Sequence, residues 1–254
     1  MKLTFLGTGT STGVPQLRCA CPACTSSDPR DKRLRASAMI ETGGRRLLID
    51  CGPDFREQML RAGSPDLDAL LLTHIHYDHV GGIDDLRPWC RDGRHFPIHC
   101  TPDVERDLRT RLPYCFAEHP YPGVPAFTMQ PVDPHEPFLA AGVSVTPLPV
   151  MHYRLPIIGF RIGPLAYITD AKTIPASTLQ LLRGIDTLVV NALRPAEHIS
   201  HMNLAQALDF AMSVGARRTY LTHISHDMPP HRAVALPPGV ALAYDGLEVE
   251  IEGG

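Results

Sequence analysis

Residues 73–82 read Thr-His-Ile-His-Tyr-Asp-His-Val-Gly-Gly and set His74, His76, Asp78 and His79 within six positions. Imidazole nitrogens and a carboxylate at this density are the donor set of a zinc-type metal site. The apolar run Ala69–Leu72 precedes them and predicts a buried strand. The cluster then lies on a loop at a strand's end, open to substrate and held by a rigid scaffold. Alternate residues His74 and His76 can face one centre while Asp78 and His79 reach a second, so one loop begins two metal sites.

Three more strand-like runs each deliver a further candidate ligand. Residues 142–150 lead to His152, residues 163–169 to Asp170, and residues 218–222 to His223. A donor at the end of each apolar run is a more specific pattern than any one histidine. The expected assembly is His74, His76, His152 and Asp170 on a first ion, and Asp78, His79, Asp170 and His223 on a second, with Asp170 bridging. Two divalent ions less two carboxylates and a bridging hydroxide leave a net positive charge, which suits an anionic substrate. Such a pair activates water and clamps both oxygens of an in-line displacement at phosphorus.

A leaving alkoxide needs a proton from outside the ligand set. His201, just before a predicted helix starting at Asn203, is the candidate acid, with His198 as the alternative. The catalytic residues expected are therefore His201 and the ligand Asp78. Asp50 ends another apolar strand, where it either orients a metal-bound imidazole or caps the helix predicted over 53–61.

Cys19, Cys21 and Cys24 stand at C-x-C-x-x-C spacing, which suits one tetrahedral structural zinc given a fourth ligand. His226, three residues beyond His223, can turn away from the catalytic pair and supply it. The chain has seven cysteines, and three crowded together argue for metal rather than a disulfide framework.

The His-x-His-x-Asp-His run resembles the signature of the metallo-β-lactamase superfamily. That resemblance implies an α/β fold, a four-layer αβ/βα sandwich with a di-metal site at the sheet edge. The cysteine triplet, the 73–82 loop, His152, Asp170, His201, Thr222–His226 and the tail around Leu236–Val240 and Tyr244–Glu248 are together similar to the PhnP-type branch, phosphoribosyl 1,2-cyclic phosphate phosphodiesterases. The resemblance implies a metal-dependent phosphoric diester hydrolase acting on a cyclic ribose phosphodiester, with zinc or manganese in the catalytic pair and a structural zinc at the cysteines. It also implies His201 as general acid and a homodimer. A ribonuclease Z-like nuclease and a glyoxalase II-like thioester hydrolase share the ligand motif and stand as alternatives.

The bulk properties are compatible with this reading. The 254 residues are 44% hydrophobic and 20% charged, with a net charge of −3, so a sizeable core is available. A pI near 6.5 offers no global basic field, which leaves nucleic acid possible but not favoured, and a small phosphorylated molecule the expected partner. No apolar stretch reads as a signal peptide or membrane span, so a cytoplasmic protein without membrane partners is expected. No repeat or linker divides residues 1–254, which are expected to form one hydrolase domain.

Other expectations concern single elements. Gly43-Gly44 predicts a hairpin, and residues 26–35 an exposed loop. Asn203–Gly215 predicts a helix with Leu204, Ala207, Leu208, Ala211 and Met212 on its apolar face. Residues 239–251 predict a closing hairpin turning at Asp245-Gly246. Residues 84–125 are expected to shape the substrate site, with Arg87, Trp89 and Arg91 as possible contacts.

Overall fold

A computed structural model of the chain describes residues 1–253. The first sheet takes β1 (Lys2–Gly7), β2 (Ser37–Thr42), β3 (Arg45–Ile49), β4 (Ala69–Leu71), β5 (Phe96–Cys100) and β6 (Phe127–Pro131) in that spatial order. Antiparallel pairing joins β1, β2 and β3, and Gly43-Gly44 turns between the last two with both residues at positive φ. From β3 to β6 the strands are parallel, so they all end at one edge. The second sheet takes β7 (Phe138–Ala140), β8 (Val143–His152), β9 (Leu155–Ile162), β10 (Leu165–Ile168), β11 (Thr187–Asn191), β12 (Arg218–Thr222) and β13 (Val240–Leu242). Parallel pairing runs from β10 to β13.

Strand alternation decides the layers. Along β3, Leu47 and Ile49 face the core between the sheets, where they meet Val145, Phe160 and Tyr167 of the second sheet. Leu48 between them faces the opposite way, into a core shared with Phe55, Met59, Val104 and Leu108. Those residues lie on short helices: α1 (Pro22–Thr25) is elsewhere, but α2 (Phe55–Arg61), α3 (Tyr77–Val80) and α4 (Pro102–Arg111) cover this outer face. The second sheet's outer face carries Leu148, Ile168 and Val190 under α5 (Ala176–Leu181) and α6 (Leu204–Val214). Successive side chains of a strand point to opposite faces, so apolar runs buried on both sides produce this order of helices, sheet, sheet, helices. The expected αβ/βα sandwich is what forms. Among the described residues no helix is long and apolar enough to cross a membrane.

Three local expectations are corrected. The tail is not a hairpin: residues 240–242 extend the second sheet, whereas β14 (Glu248–Glu250) crosses to the first and pairs antiparallel with β1. Asp245 makes the crossing by accepting from the Thr8 hydroxyl at 2.8 Å and the Leu34 amide at 2.7 Å. Residues 26–35 are not an exposed loop, because Asp31 and Arg33 are buried. Their polar atoms are hydrogen-bonded inside: Arg33 donates to Thr8 Oγ1 at 2.8 Å and the Ala243 carbonyl at 2.6 Å, and Asp31 accepts from the Ser26 hydroxyl and the His231 amide. On α6 the buried stripe is Ala207, Phe210 and Ala211, while Met212 is 69% exposed. The helix is rotated by about one residue, which seats the larger Phe210 ring instead of Met212.

Candidate metal centre

Every predicted donor of the catalytic assembly arrives at one sheet edge. One ligand atom each from His74, His76, His152 and Asp170 lies within 4.8 Å of the others, and the same holds for Asp78, His79, Asp170 and His223. Asp170 belongs to both groups. His74 sits in the loop after β4, Asp78 and His79 lie on α3, His152 ends β8, Asp170 follows β10 and His223 follows β12. All are buried except His76, which faces the open side.

The backbone at these junctions is held in an uncommon state. Asp50, Asp170 and His223 have φ of 60°, 57° and 55°, in the left-handed region that side-chain-bearing residues seldom occupy. Asp50 and His223 follow directly on β3 and β12, and Asp170 follows β10 after one intervening residue, Thr169, so each lies in the turn that leaves a strand. Such strain persists where the surroundings over-determine it, and it concentrates at functional sites. Close packing adds to the constraint: a Cβ at Gly52 would collide with the Asp78 carbonyl, and one at Gly82 with the Gly52 carbonyl. Glycine at both positions lets the metal loop lie flat against the turn after β3.

Asp50 fixes two of the imidazoles. Its Oδ2 accepts from His79 Nδ1 at 2.7 Å, and its carboxylate also takes the Thr73 amide at 2.9 Å and the Thr73 hydroxyl at 2.9 Å. Thr73 Oγ1 in turn accepts from His74 Nδ1 at 3.0 Å. His152 Nδ1 donates to the Ser200 carbonyl at 2.9 Å. With the outer nitrogens engaged, the Nε2 atoms of His74 and His79 face inward, buried and without a hydrogen-bond partner. Orphaned buried nitrogens cost free energy unless something coordinates them, and neutral lone pairs converging on carboxylates are the donor set of a divalent metal. Of the two roles considered for Asp50, the contacts are those of orientation; the start of α2 follows Asp54 instead.

Electrostatics agree with that donor set at His74, whereas at His79, against its burial, the carboxylates of Asp170, Asp50 and Asp78 raise the imidazole well above its ordinary range, the pull they would exert on any cation placed among them. Burial, its largest influence, pushes the His74 imidazole well below its ordinary range, which keeps its lone pair free. Burial also opposes ionisation of Asp170, but His223, His79 and the His201 hydrogen bond outweigh it and hold the carboxylate well below the usual range. Asp78 is held down in the same way by His79 and His223 against its burial.

His201 belongs to neither group of four. Its Nε2 lies 3.2 Å from Asp170 Oδ2, and its Nδ1 lies 3.1 Å from both Ser200 Oγ and His198 Nδ1. Burial lowers it to about 4 against the Asp170 hydrogen bond. His198 reaches His201 and Ser200, one step farther from the carboxylates. The following helix starts where expected, with Asn203 accepting from the Gln206 amide at 2.8 Å and Gln206 returning the bond at 3.2 Å.

The cysteine group also assembles. Cys19, Cys21, Cys24 and His226 bring their donor atoms within 4.8 Å of one another. His226 Nδ1 is 3.2 Å from Cys19 Sγ and 3.5 Å from Cys21 Sγ. A tetrahedron with ordinary zinc bonds has edges of about 3.6 Å, so the residues fit the ion. Burial opposes ionisation of Cys21, yet the Cys24 amide and His226 outweigh it and lower the thiol to about 6, while burial raises Cys24 to about 11. The loop carrying His223 and His226 is tied to the first loop by Ile224, whose amide donates to the Thr8 carbonyl at 2.9 Å and whose carbonyl accepts from the Thr10 amide at 3.1 Å.

Of the other candidates, Arg87 is taken by Asp84 at 2.9 Å and the Gly123 carbonyl at 2.7 Å, and Trp89 packs on Phe55. Arg91 is exposed. What sequence reasoning missed is the threonine before three of the four strand-end ligands: Thr73-His74, Thr169-Asp170 and Thr222-His223, but not His152, which follows Met151. Thr73 links Asp50 to His74, and the Thr169 hydroxyl donates to Asp170 at 2.6 Å. The threefold repeat of that dipeptide was the available signal.

Comparison with known proteins is consistent with this edge. A family model described as a beta-lactamase superfamily domain matches residues 45–224. A solved structure described as a new diphosphatase from the PhnP family is 42% identical, with a TM-score of 0.91 over 99% of this chain and 98% of that one. A Porphyromonas gingivalis protein named octanoyltransferase is 46% identical over 99% of this chain but 52% of its own length, so the chain spans about half of that relative. A ribonuclease Z of a Mycobacterium species (strain KMS) is 28% identical over 100% of this chain and 97% of that protein. Since the family model spans most of the chain and the sheet-edge donors fit divalent ions, this protein belongs to the metallo-β-lactamase superfamily of metal-dependent hydrolases, as a PhnP-like member.

Proposed function

We propose that residues 1–254 form one hydrolase domain that cleaves a small cyclic ribose phosphodiester, with His201 as the acid that protonates the leaving oxygen. His74, His76, His152 and Asp170 would hold one divalent ion, zinc or manganese, and Asp78, His79, Asp170 and His223 a second. Two ions there would supply activated water and neutralise charge on the phosphoryl oxygens. The Cys19, Cys21, Cys24 and His226 group would hold a structural zinc. The observation that carries the reading is a buried imidazole, His201, beside the shared carboxylate yet outside both ligand groups.

The protein's own residues divide the remaining work. Asp50 and Thr73 hold His79 and His74 in the tautomer that keeps Nε2 for coordination. The acid must deliver a proton from Nε2, and His198 and Ser200 contact its other nitrogen. Burial keeps His201 neutral without ligand, whereas an adjacent phosphate favours imidazolium. The acid is therefore charged chiefly when substrate is present.

A second reading has a specific support: the relative at 42% identity is described as a diphosphatase, so a phosphoric anhydride could take the same site. The ribonuclease Z relative at 28% identity keeps an RNA end as a third substrate to test. The deciding experiment compares turnover of the metal-loaded protein on 5-phosphoribosyl 1,2-cyclic phosphate, a dinucleoside diphosphate and a short single-stranded oligonucleotide. Preference for the cyclic phosphate is expected. Preference for the anhydride or the oligonucleotide would replace the reading with the corresponding one.

A further inference from the structure

Two cations converge on the start of α6, beside the candidate acid. Lys172 lies two residues past Asp170 in the loop that leaves β10, and Arg194 lies three past the end of β11. The Met202 amide donates to the Ala171 carbonyl at 3.0 Å, so Lys172 and His201, their neighbours in the chain, flank one backbone bond. The Lys172 ammonium donates to Gln206 Oε1 at 3.0 Å, the oxygen that also takes the Asn203 amide two residues beyond His201. Arg194 reaches the same turn through its carbonyl, which accepts from the Leu204 amide at 2.9 Å. His198 joins the group, with its Nδ1 3.1 Å from His201 Nδ1. Burial first, and then Arg194, His152 and Lys172, lower the His198 imidazole, which sets both cations in its surroundings.

The two charges are unequally met. Arg194 pairs with Asp227 at 2.9 Å and donates to the Glu197 carbonyl at 3.2 Å. Among the described residues Lys172 has no carboxylate partner, and the amide oxygen of Gln206 leaves its charge in place. Lys172, Arg194 and His198 are all half-buried, so a ligand can reach them from solvent. An ammonium without a counter-ion is a point charge suited to phosphate. The chemistry of a cyclic diester says which part of the substrate comes here. Both of its ester oxygens belong to one sugar, so the oxygen that His201 protonates stays on that sugar. The ribose is therefore drawn to the His201 side, and its far substituent extends toward the start of α6.

We infer that Lys172, with Arg194 beside it, binds a second phosphate carried by the substrate: a phosphate monoester on the ribose, remote from the diester that is cleaved. The inference rests on the phosphodiesterase reading and makes these two residues determinants of its specificity. A monoester carries roughly two negative charges near neutral pH, which a lysine and an arginine match. A ribose cyclic diester lacking that group leaves Lys172 without a partner and is expected to be the poorer substrate.

The test is calorimetry on the metal-loaded protein with ribose 1,5-bisphosphate and ribose 1-phosphate, which differ only by the 5-phosphate. The bisphosphate is expected to bind roughly 10–100-fold more tightly, the range for a hydrogen bond to a charged group. Lys172→Gln removes the charge and is expected to shrink that ratio roughly tenfold, with Lys172→Arg restoring most of it. Arg194→Gln is expected to shrink it less, because Asp227 already takes part of that charge. A lysine that only braces α6 through Gln206 would weaken both ligands alike and leave the ratio unchanged. Equal affinities in the wild type, or a ratio that survives Lys172→Gln, would overturn the subsite. In parallel, kcat/KM is measured on 5-phosphoribosyl 1,2-cyclic phosphate and on ribose 1,2-cyclic phosphate, and the preference for the first is expected to fall in Lys172→Gln through KM rather than kcat. Turnover of neither removes the phosphodiesterase reading, while the affinity ratio still decides the subsite.

Discussion

At the scale of single residues, the centre depends on groups that touch no substrate. Asp50 accepts from His79 Nδ1 and from the Thr73 amide and hydroxyl, a load that a carboxylate's two oxygens can carry. Asp50→Asn keeps the volume and tolerates the left-handed backbone, yet has one accepting oxygen, so one of these partners is lost. Metal affinity is expected to fall roughly 10–100-fold, read by titration against a competing chelator, with the far-ultraviolet spectrum unchanged. An unaltered affinity would show that Asp50 only fills the core. His201→Ala is expected to lower turnover roughly 10²–10⁴-fold with full metal content, the range for loss of a general acid. Loss of metal in that variant would make His201 a ligand. His74, His76, Asp78 and His79 were legible because they are neighbours in sequence, whereas the Asp50–Thr73 relay spans 23 positions and needed the sheet to bring it together.

At the scale of elements, the recurring device is a threonine at or just past a strand's end followed by a ligand. The ligand positions themselves could be read from the sequence because β4 and β10 are short apolar runs with abrupt polar ends. The loop after β12 serves two centres, with His223 in the catalytic assembly and His226 among the cysteines three residues later. Cys21→Ser is therefore expected to remove one metal equivalent and lower Tm on the order of 10 °C, since a structural ion contributes its binding energy to folding. Elemental analysis with a thermal scan checks both, and an unchanged metal count would leave the group as three thiols and an imidazole in contact. The Met212 and tail expectations failed for reasons of packing. Periodicity names an apolar helix face only to within a residue or so, and local alternation cannot tell a strand pairing with its neighbour from one crossing to another sheet.

At the scale of the whole molecule, acid stability follows from burial. His99 on β5 is buried without a side-chain hydrogen bond and is lowered to about 4 by that burial, against 6.5 for the free imidazole. Between these values the unfolded chain takes up a proton that the folded protein refuses, so stability falls as pH drops from 6.5 toward 4. The loss amounts to roughly 3 kcal/mol at most for one such group. Urea unfolding of the wild type and of His99→Leu at pH 7 and pH 4.5 should show a shallower decline in the variant. Acid release of metal is common to both and cancels in the comparison, so parallel declines would show that His99 titrates normally.

The amino-acid sequence by itself determined the donor types and their grouping at strand ends, because ligand chemistry and strand periodicity are local properties carried by residues a few positions apart; the layered α/β class followed from the resemblance that those ligands carry. Only the tertiary structure decided that Asp50 orients rather than caps, that Arg33 is buried, and that the tail crosses from one sheet to the other. Each of those depends on which strand edges meet, and that is set by burial summed over two sheets, a quantity no short stretch contains.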